Sequence, residues 1–261
     1  MQTDSKFMSM KITMVQARGF VDDPMTNFFK ARMRVNNVDS DIFVYPEMYC
    51  SGYVPEVKRM QPEKTTDMVV NNMKTMAGKR NCGIVFGAPR IIDGKLYNCV
   101  LFAGPDGIVT HKKTVPTTDG VFDETDIFEW GDATTMFDFR GLKIGLCTGQ
   151  ELCTHIIPRR YAENGADIVI AVAAFTESQM ARTEKIAVAR AVENKIYVML
   201  VNMVGEDSGK KMGGKSMFIT PEGEIAERFS DSTDLREIRL EDNFLDAVAG
   251  RSPIPEPKLS S

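Results

Sequence analysis

The chain has 261 residues, 43% of them hydrophobic and 26% charged, which is enough apolar material for one soluble globular unit with a large core. Its 32 Lys+Arg against 36 Asp+Glu leave a formal charge of −4, so no basic field is available to draw nucleic acid or an anionic membrane surface. Five cysteines without a CxxC pair and two histidines, His111 and His155, supply no disulfide framework, zinc cage or Ser-His-Asp triad, and acid-base chemistry falls to carboxylates, lysines or thiols.

The first six residues are polar, and no later apolar run approaches the roughly 18 residues of a membrane span, which predicts a cytoplasmic protein without membrane partners. Met10–Gln16 reads as a first strand, Thr26–Val38 as a helix, and Asp41–Tyr45 as a buried strand stopped by Pro46. Pro62–Lys79 has the length of a second helix. Cys82–Pro89 follows as a strand, and then Leu96–Ala103 and Ile108–Val115 pair through Gly104-Pro105-Asp106-Gly107, a turn sequence that predicts a hairpin.

The second half repeats the rhythm. Thr135–Phe139 and Leu142–Cys147 read as strands, Thr154–Asn164 as a helix, Asp167–Val172 as a strand, Ser178–Asn194 as a helix and Ile196–Met203 as a strand. Ser216–Thr220 and Glu224–Arg228 flank Pro221-Glu222-Gly223 as another hairpin. Two successive strand-helix halves predict sheets packed together with helices on their outer faces. No Pro/Ser/Gly-rich linker divides the chain, so residues 1–261 read as a single domain, with 250–261, rich in proline, as an extended C-terminal arm.

Three segments each place polar groups just after a predicted strand. In Tyr45-Pro46-Glu47-Met48-Tyr49, a carboxylate beyond a buried strand end and among aromatic residues suits a base, because burial disfavours its charged form. His111-Lys112-Lys113 ends a hairpin strand with Asp123-Glu124 shortly after, and a lysine held near carboxylates stays cationic and can steady an oxyanion. Taken singly, a solvated Glu and an exposed pair of edge lysines are the simpler readings. In Leu146-Cys147-Thr148-Gly149-Gln150-Glu151, a strand turns sharply into a helix, the arrangement that exposes a nucleophile beside free backbone N–H groups. The turn is present and the nucleophile is not.

The ordered set of pieces resembles the nitrilase superfamily of carbon-nitrogen hydrolases, in its amidase-like branch. The residues are Pro46-Glu47 with Gly52-Tyr53, His111-Lys112, Lys143-Ile144-Gly145, Gly165-Ala166-Asp167, Arg190-Ala191-Val192-Glu193-Asn194, and Gly214-Lys215-Ser216 with Pro221-Glu222-Gly223, spanning roughly residues 10–240. The resemblance implies a four-layer αββα sandwich and a Glu-Lys-Cys site acting on a small carboxamide, nitrile or N-carbamoyl compound without a cofactor or metal. It also implies a homodimer or higher homo-oligomer. By it, Glu47 matches the general base, Lys112 the oxyanion lysine with Lys113 as the alternative one residue on, and Glu124 the second, orienting glutamate. Val121-Phe122-Asp123-Glu124 is also similar to the glutamine-hydrolysing part of NAD synthetases.

The chain departs from that pattern at one place. Gly149 occupies the position of the family's nucleophilic cysteine, and a glycine cannot attack a carbonyl. Cys147 and Cys153 stand two residues before and four after it, displacements that cost large rate factors for a positioned nucleophile. Two readings follow, a substitution at 149 in an otherwise active amidase or a ligand-binding pseudoenzyme, and the retained Glu47, Lys112 and Glu124, costly to bury without purpose, favour the first. A rival class is raised by Gly209–Ser216, which satisfies the P-loop expression GxxxxGK[ST], but Met217–Gly223 reads as a strand into a turn where phosphate binding needs a helix.

Overall fold

The computed structural model describes residues 9–60 and 62–255. The first half supplies β1 (Met10–Gln16), α1 (Pro24–Asn37), β2 (Ile42–Val44), α2 (Pro62–Arg80), β3 (Gly83–Ile92), β4 (Lys95–Gly104) and β5 (Gly107–Lys112). The second half supplies β6 (Thr135–Phe139), β7 (Leu142–Thr148), α3 (Gly149–Cys153), α4 (Ile156–Glu163), β8 (Ile168–Ala173), α5 (Glu177–Asn194) and β9 (Tyr197–Asn202). A small hairpin, β10 (Glu206–Asp207) with β11 (Lys210–Lys211), precedes β12 (Met217–Ile219), β13 (Ile225–Arg228) and β14 (Asp234–Leu240).

These strands make two mixed six-stranded sheets, ordered β14-β1-β2-β3-β4-β5 and β13-β12-β9-β8-β7-β6. Side chains alternate across a strand, and the burial follows that period. In β7, Leu142, Ile144 and Leu146 join Ile12, Met14, Val44 and Val100 in the core between the sheets, while Cys147 faces the outer helices with Ala171, Ala173, Met180 and Ala187. On the other sheet, Phe43, Ile84, Phe86 and Leu101 pack against Phe28, Ala31, Val69 and Met73 of α1 and α2. The result is the predicted αββα sandwich.

Element ends shift from the sequence reading for local reasons. Asp23 caps α1 by accepting from the Thr26 N–H at 3.0 Å, with Pro24 in the first turn, so the helix opens earlier than Thr26. The helix predicted over Thr154–Asn164 is α4, and a separate short helix, α3, precedes it because Thr148 and Glu151 form a capping box that starts it immediately after β7. Strand β14 was not anticipated, since its alternation is broken by charged residues and its partner, β1, lies at the far end of the chain. Gly209 lies in the β10–β11 hairpin and Ser216 at the entry to β12, so no helix follows the P-loop-like stretch. The polar start of the chain lies outside the described residues, as does the end of the C-terminal arm beyond 255. Among the described residues no helix is long and apolar enough to cross a membrane.

Candidate active site

Glu47 follows β2 in a tight turn in which Met48 adopts a left-handed backbone, φ 51°. That turn lies directly on β3: Gly87 donates its N–H to the Pro46 carbonyl at 3.0 Å, and a Cβ at Gly87 would stand 2.6 Å from the Glu47 Cα. A glycine in the strand therefore lets the backbone carrying Glu47 come so close. Asn98 of β4 donates both amide N–H groups at 2.8 Å, one to Glu47 Oε1 and one to Glu124 Oε1.

The lysine between those carboxylates is Lys113. Its ammonium lies 2.8 Å from Glu47 Oε1, 2.7 Å from Glu124 Oε2 and 2.8 Å from the Thr117 hydroxyl, so all three of its N–H groups are engaged. Lys112, the residue expected there, points the other way: its ammonium lies over the Tyr97 ring at 5.0 Å and 3.5 Å from Asp132. The correction follows from strand parity. Lys113 donates its backbone N–H to the Asn98 carbonyl at 2.9 Å, which extends the β4–β5 pairing past Lys112 and puts 113 on the buried face with His111. The strand-end signal was readable, but its register was not.

Glu47, Lys113 and Glu124 are 3%, 3% and 1% exposed. Three charges confined there would sum to −1. Burial raises the Glu47 carboxyl above the ordinary range and the Glu124 charge adds to this, while Lys113 opposes it. The Lys113 ammonium is disfavoured by burial, but Glu124 and Glu47 more than offset this and hold its pKa above the usual value. The arrangement is a fixed cation beside a carboxyl whose charged form burial disfavours. Both hydrogen bonds to Glu47 fall on Oε1, and Oε2 receives none from the described residues.

Gly149 occupies the first position of α3, and the elements that carry it are tied to the lysine strand through Glu151. That carboxylate accepts from the Thr114 N–H and hydroxyl, both at 2.7 Å, from the Thr148 N–H at 2.7 Å, and pairs with His111 Nε2 at 3.0 Å. Burial alone would raise the Glu151 carboxyl, but His111 and the donors from Thr114 outweigh it and hold it down at about 2. His111 and Glu151 were not singled out from the sequence as site-building residues; the Thr148-x-x-Glu151 capping pattern was the available signal.

The two neighbouring thiols are both held in their neutral form by burial. Cys147 is fully buried in the helix-facing core, which pushes its thiol well above the ordinary range, and burial also raises Cys153. A Cβ built on Gly149 would meet the Phe175 ring at 2.5 Å and the Ala173 Cβ at 2.7 Å. A side chain at 149 therefore requires the Phe175 ring and its surroundings to give way.

A family model described as carbon-nitrogen hydrolase matches residues 11–242. Among curated relatives, an (R)-stereoselective amidase of a Pseudomonas species is 27% identical over 83% of this chain and 79% of its own. A nitrilase of Pyrococcus abyssi is 26% identical over 86% of each chain. In the solved structures, an amidase from a Nesterenkonia species superposes with a TM-score of 0.82 at 20% identity, covering 91% of this chain and 92% of that one. A cysteine-to-alanine mutant of the same amidase, in complex with butyramide, superposes with the same score.

Proposed function

The chain belongs to the carbon-nitrogen hydrolase family, and from that premise we propose that it carries an amidase-type site complete except for its nucleophile. The observation that supports this most directly is the Lys113 ammonium held 2.8 and 2.7 Å from two buried carboxylates. Such a cluster is costly to bury. With a thiol at position 149, Glu47 accepts its proton as sulfur attacks the amide carbon. The oxyanion is held by Lys113 and by the Gln150 backbone N–H at the helix start. Thr117 is the one neutral partner of the ammonium among the described residues, and the one an oxyanion would displace. Glu47 then returns the proton to the departing ammonia and activates the water that hydrolyses the thioester. No metal or cofactor enters this scheme.

As it stands, the Gly149 chain binds a small carboxamide and does not turn it over. The test is ammonia release by Gly149→Cys over amides, nitriles and N-carbamoyl compounds, with Glu47→Gln added to the same variant as control. Turnover that the Glu47→Gln change abolishes in a folded protein supports the scheme. The crowding by Phe175 and Ala173 favours a second reading, a ligand-binding pseudoenzyme whose nucleophile slot has closed. If Gly149→Cys folds and neither releases ammonia nor forms a thioester, both alone and with Phe175→Leu to relieve the contact, that second reading stands.

A further inference from the structure

Asn98 touches all three charged members of the cluster. Its main-chain carbonyl accepts the Lys113 N–H at 2.9 Å, and its side-chain amide donates at 2.8 Å to Glu47 Oε1 and at 2.8 Å to Glu124 Oε1. The orientation of that amide is fixed, since turning it over would press a carbonyl oxygen against two carboxylates. Its Oδ1 is buried without a partner, a cost that the two charge-assisted hydrogen bonds offset. Lys113 is tied to position 98 through the main chain alone, and its ammonium is also held by Glu124 and Thr117. A substitution of the Asn98 side chain therefore acts first on the carboxylates and leaves the lysine register in place.

Resting on the amidase-type reading, in which Glu47 is the base, we propose that Asn98 is a positioning residue that fixes which oxygen of Glu47 exchanges the proton. A carboxylate oxygen offers about two lone-pair sites. At Glu47 Oε1 both are filled, one by Asn98 and one by Lys113, while Oε2 receives no hydrogen bond from the described residues. A proton therefore arrives at Oε2 and leaves from it. The same two bonds stop the carboxyl from turning about its terminal torsion, which is otherwise broad and close to two-fold. Without the amide, Oε1 regains a free site and the two oxygens compete for the proton. One donor that favours the charged form of Glu47 is then gone, and the single group that joins Glu47 to Glu124 from the neutral side is lost with it.

The Glu47 carboxyl can be titrated in the unaltered chain by carbon NMR with isotope-labelled glutamate, its signal identified by its loss in Glu47→Gln. In Asn98→Leu, which keeps the shape and removes both donors, the Glu47 midpoint should rise by about one pH unit or more. Asn98→Ser, whose single hydroxyl serves one carboxylate at most, should move it the same way and takes over where Asn98→Leu does not fold. A midpoint that stays in place in the folded variants would make Asn98 a packing residue only and overturn the proposal. In a Gly149→Cys background that turns amides over, either substitution should lower kcat by about ten-fold or more with KM little changed. An unchanged kcat there would overturn the proposal as well. Gly149→Cys without turnover would remove the amidase-type reading, while the titration would still decide whether Asn98 holds Glu47, so the two failures are distinguishable.

Discussion

Lys112 and Lys113 are adjacent, identical in type and opposite in circumstance. Lys113 is enclosed by Glu47, Glu124 and Thr117, whereas Lys112 is a third exposed beside Asp132. Removing the cation from Lys113→Met would leave two carboxylates buried and facing each other, a loss expected to cost about 3–5 kcal/mol of stability. Lys112→Met removes one half-exposed pair and should cost no more than about 1 kcal/mol. Urea denaturation of the two variants checks this, and comparable losses would contradict the placement of the lysine. The sequence made a lysine at this strand end legible, and the glutamates that flank it, Glu47 and Glu124, with it. Choosing between 112 and 113 required knowing that the pairing with β4 continues one residue beyond the strand, a tertiary fact that a single residue's context does not contain.

At the scale of the element, α3 is only five residues long, and a helix so short is not stable through its own hydrogen bonds. What holds it is Glu151, which caps it from within and joins it to His111 and Thr114 of the lysine strand. Because the folded Glu151 carboxyl sits at about 2, below its ordinary 4.5, the stability it contributes is present above about pH 4.5 and is lost as pH falls toward 2. Glu151→Gln should lower the stability at neutral pH by about 3 kcal/mol and flatten the melting-temperature profile over that acid window. A variant with the wild-type acid profile would show that the carboxylate is not the joint proposed here. The capping pattern was legible locally. The link to His111, forty residues away in sequence, was not, because neither residue announces the other until the two sheets face one another.

The two-sheet architecture was legible because the apolar periods change between strand and helix in a regular order, and hairpins marked by Pro-Asp-Gly and Pro-Glu-Gly fix where chains reverse. Edge strand β14 escaped because charge interrupts its alternation and its pairing to β1 spans nearly the whole chain. The described part of the C-terminal arm packs on its own chain, where the Ile254 N–H donates to the Glu193 carbonyl at 2.9 Å at the end of α5. Exposed apolar side chains for association lie on the outer helices. Ile156 on α4 and Val192 on α5 remain 37% and 40% exposed on the layer that covers the second sheet, and burying such side chains against a second copy would remove apolar surface from water. We propose a dimer through this face. Sedimentation velocity at micromolar concentration should show a dimer for the unaltered chain, and Val192→Glu, which would place an unpaired charge in the contact, should shift it toward monomer without loss of helix content. A monomer for the unaltered chain refutes the dimer. A dimer that persists in Val192→Glu places the contact on another face.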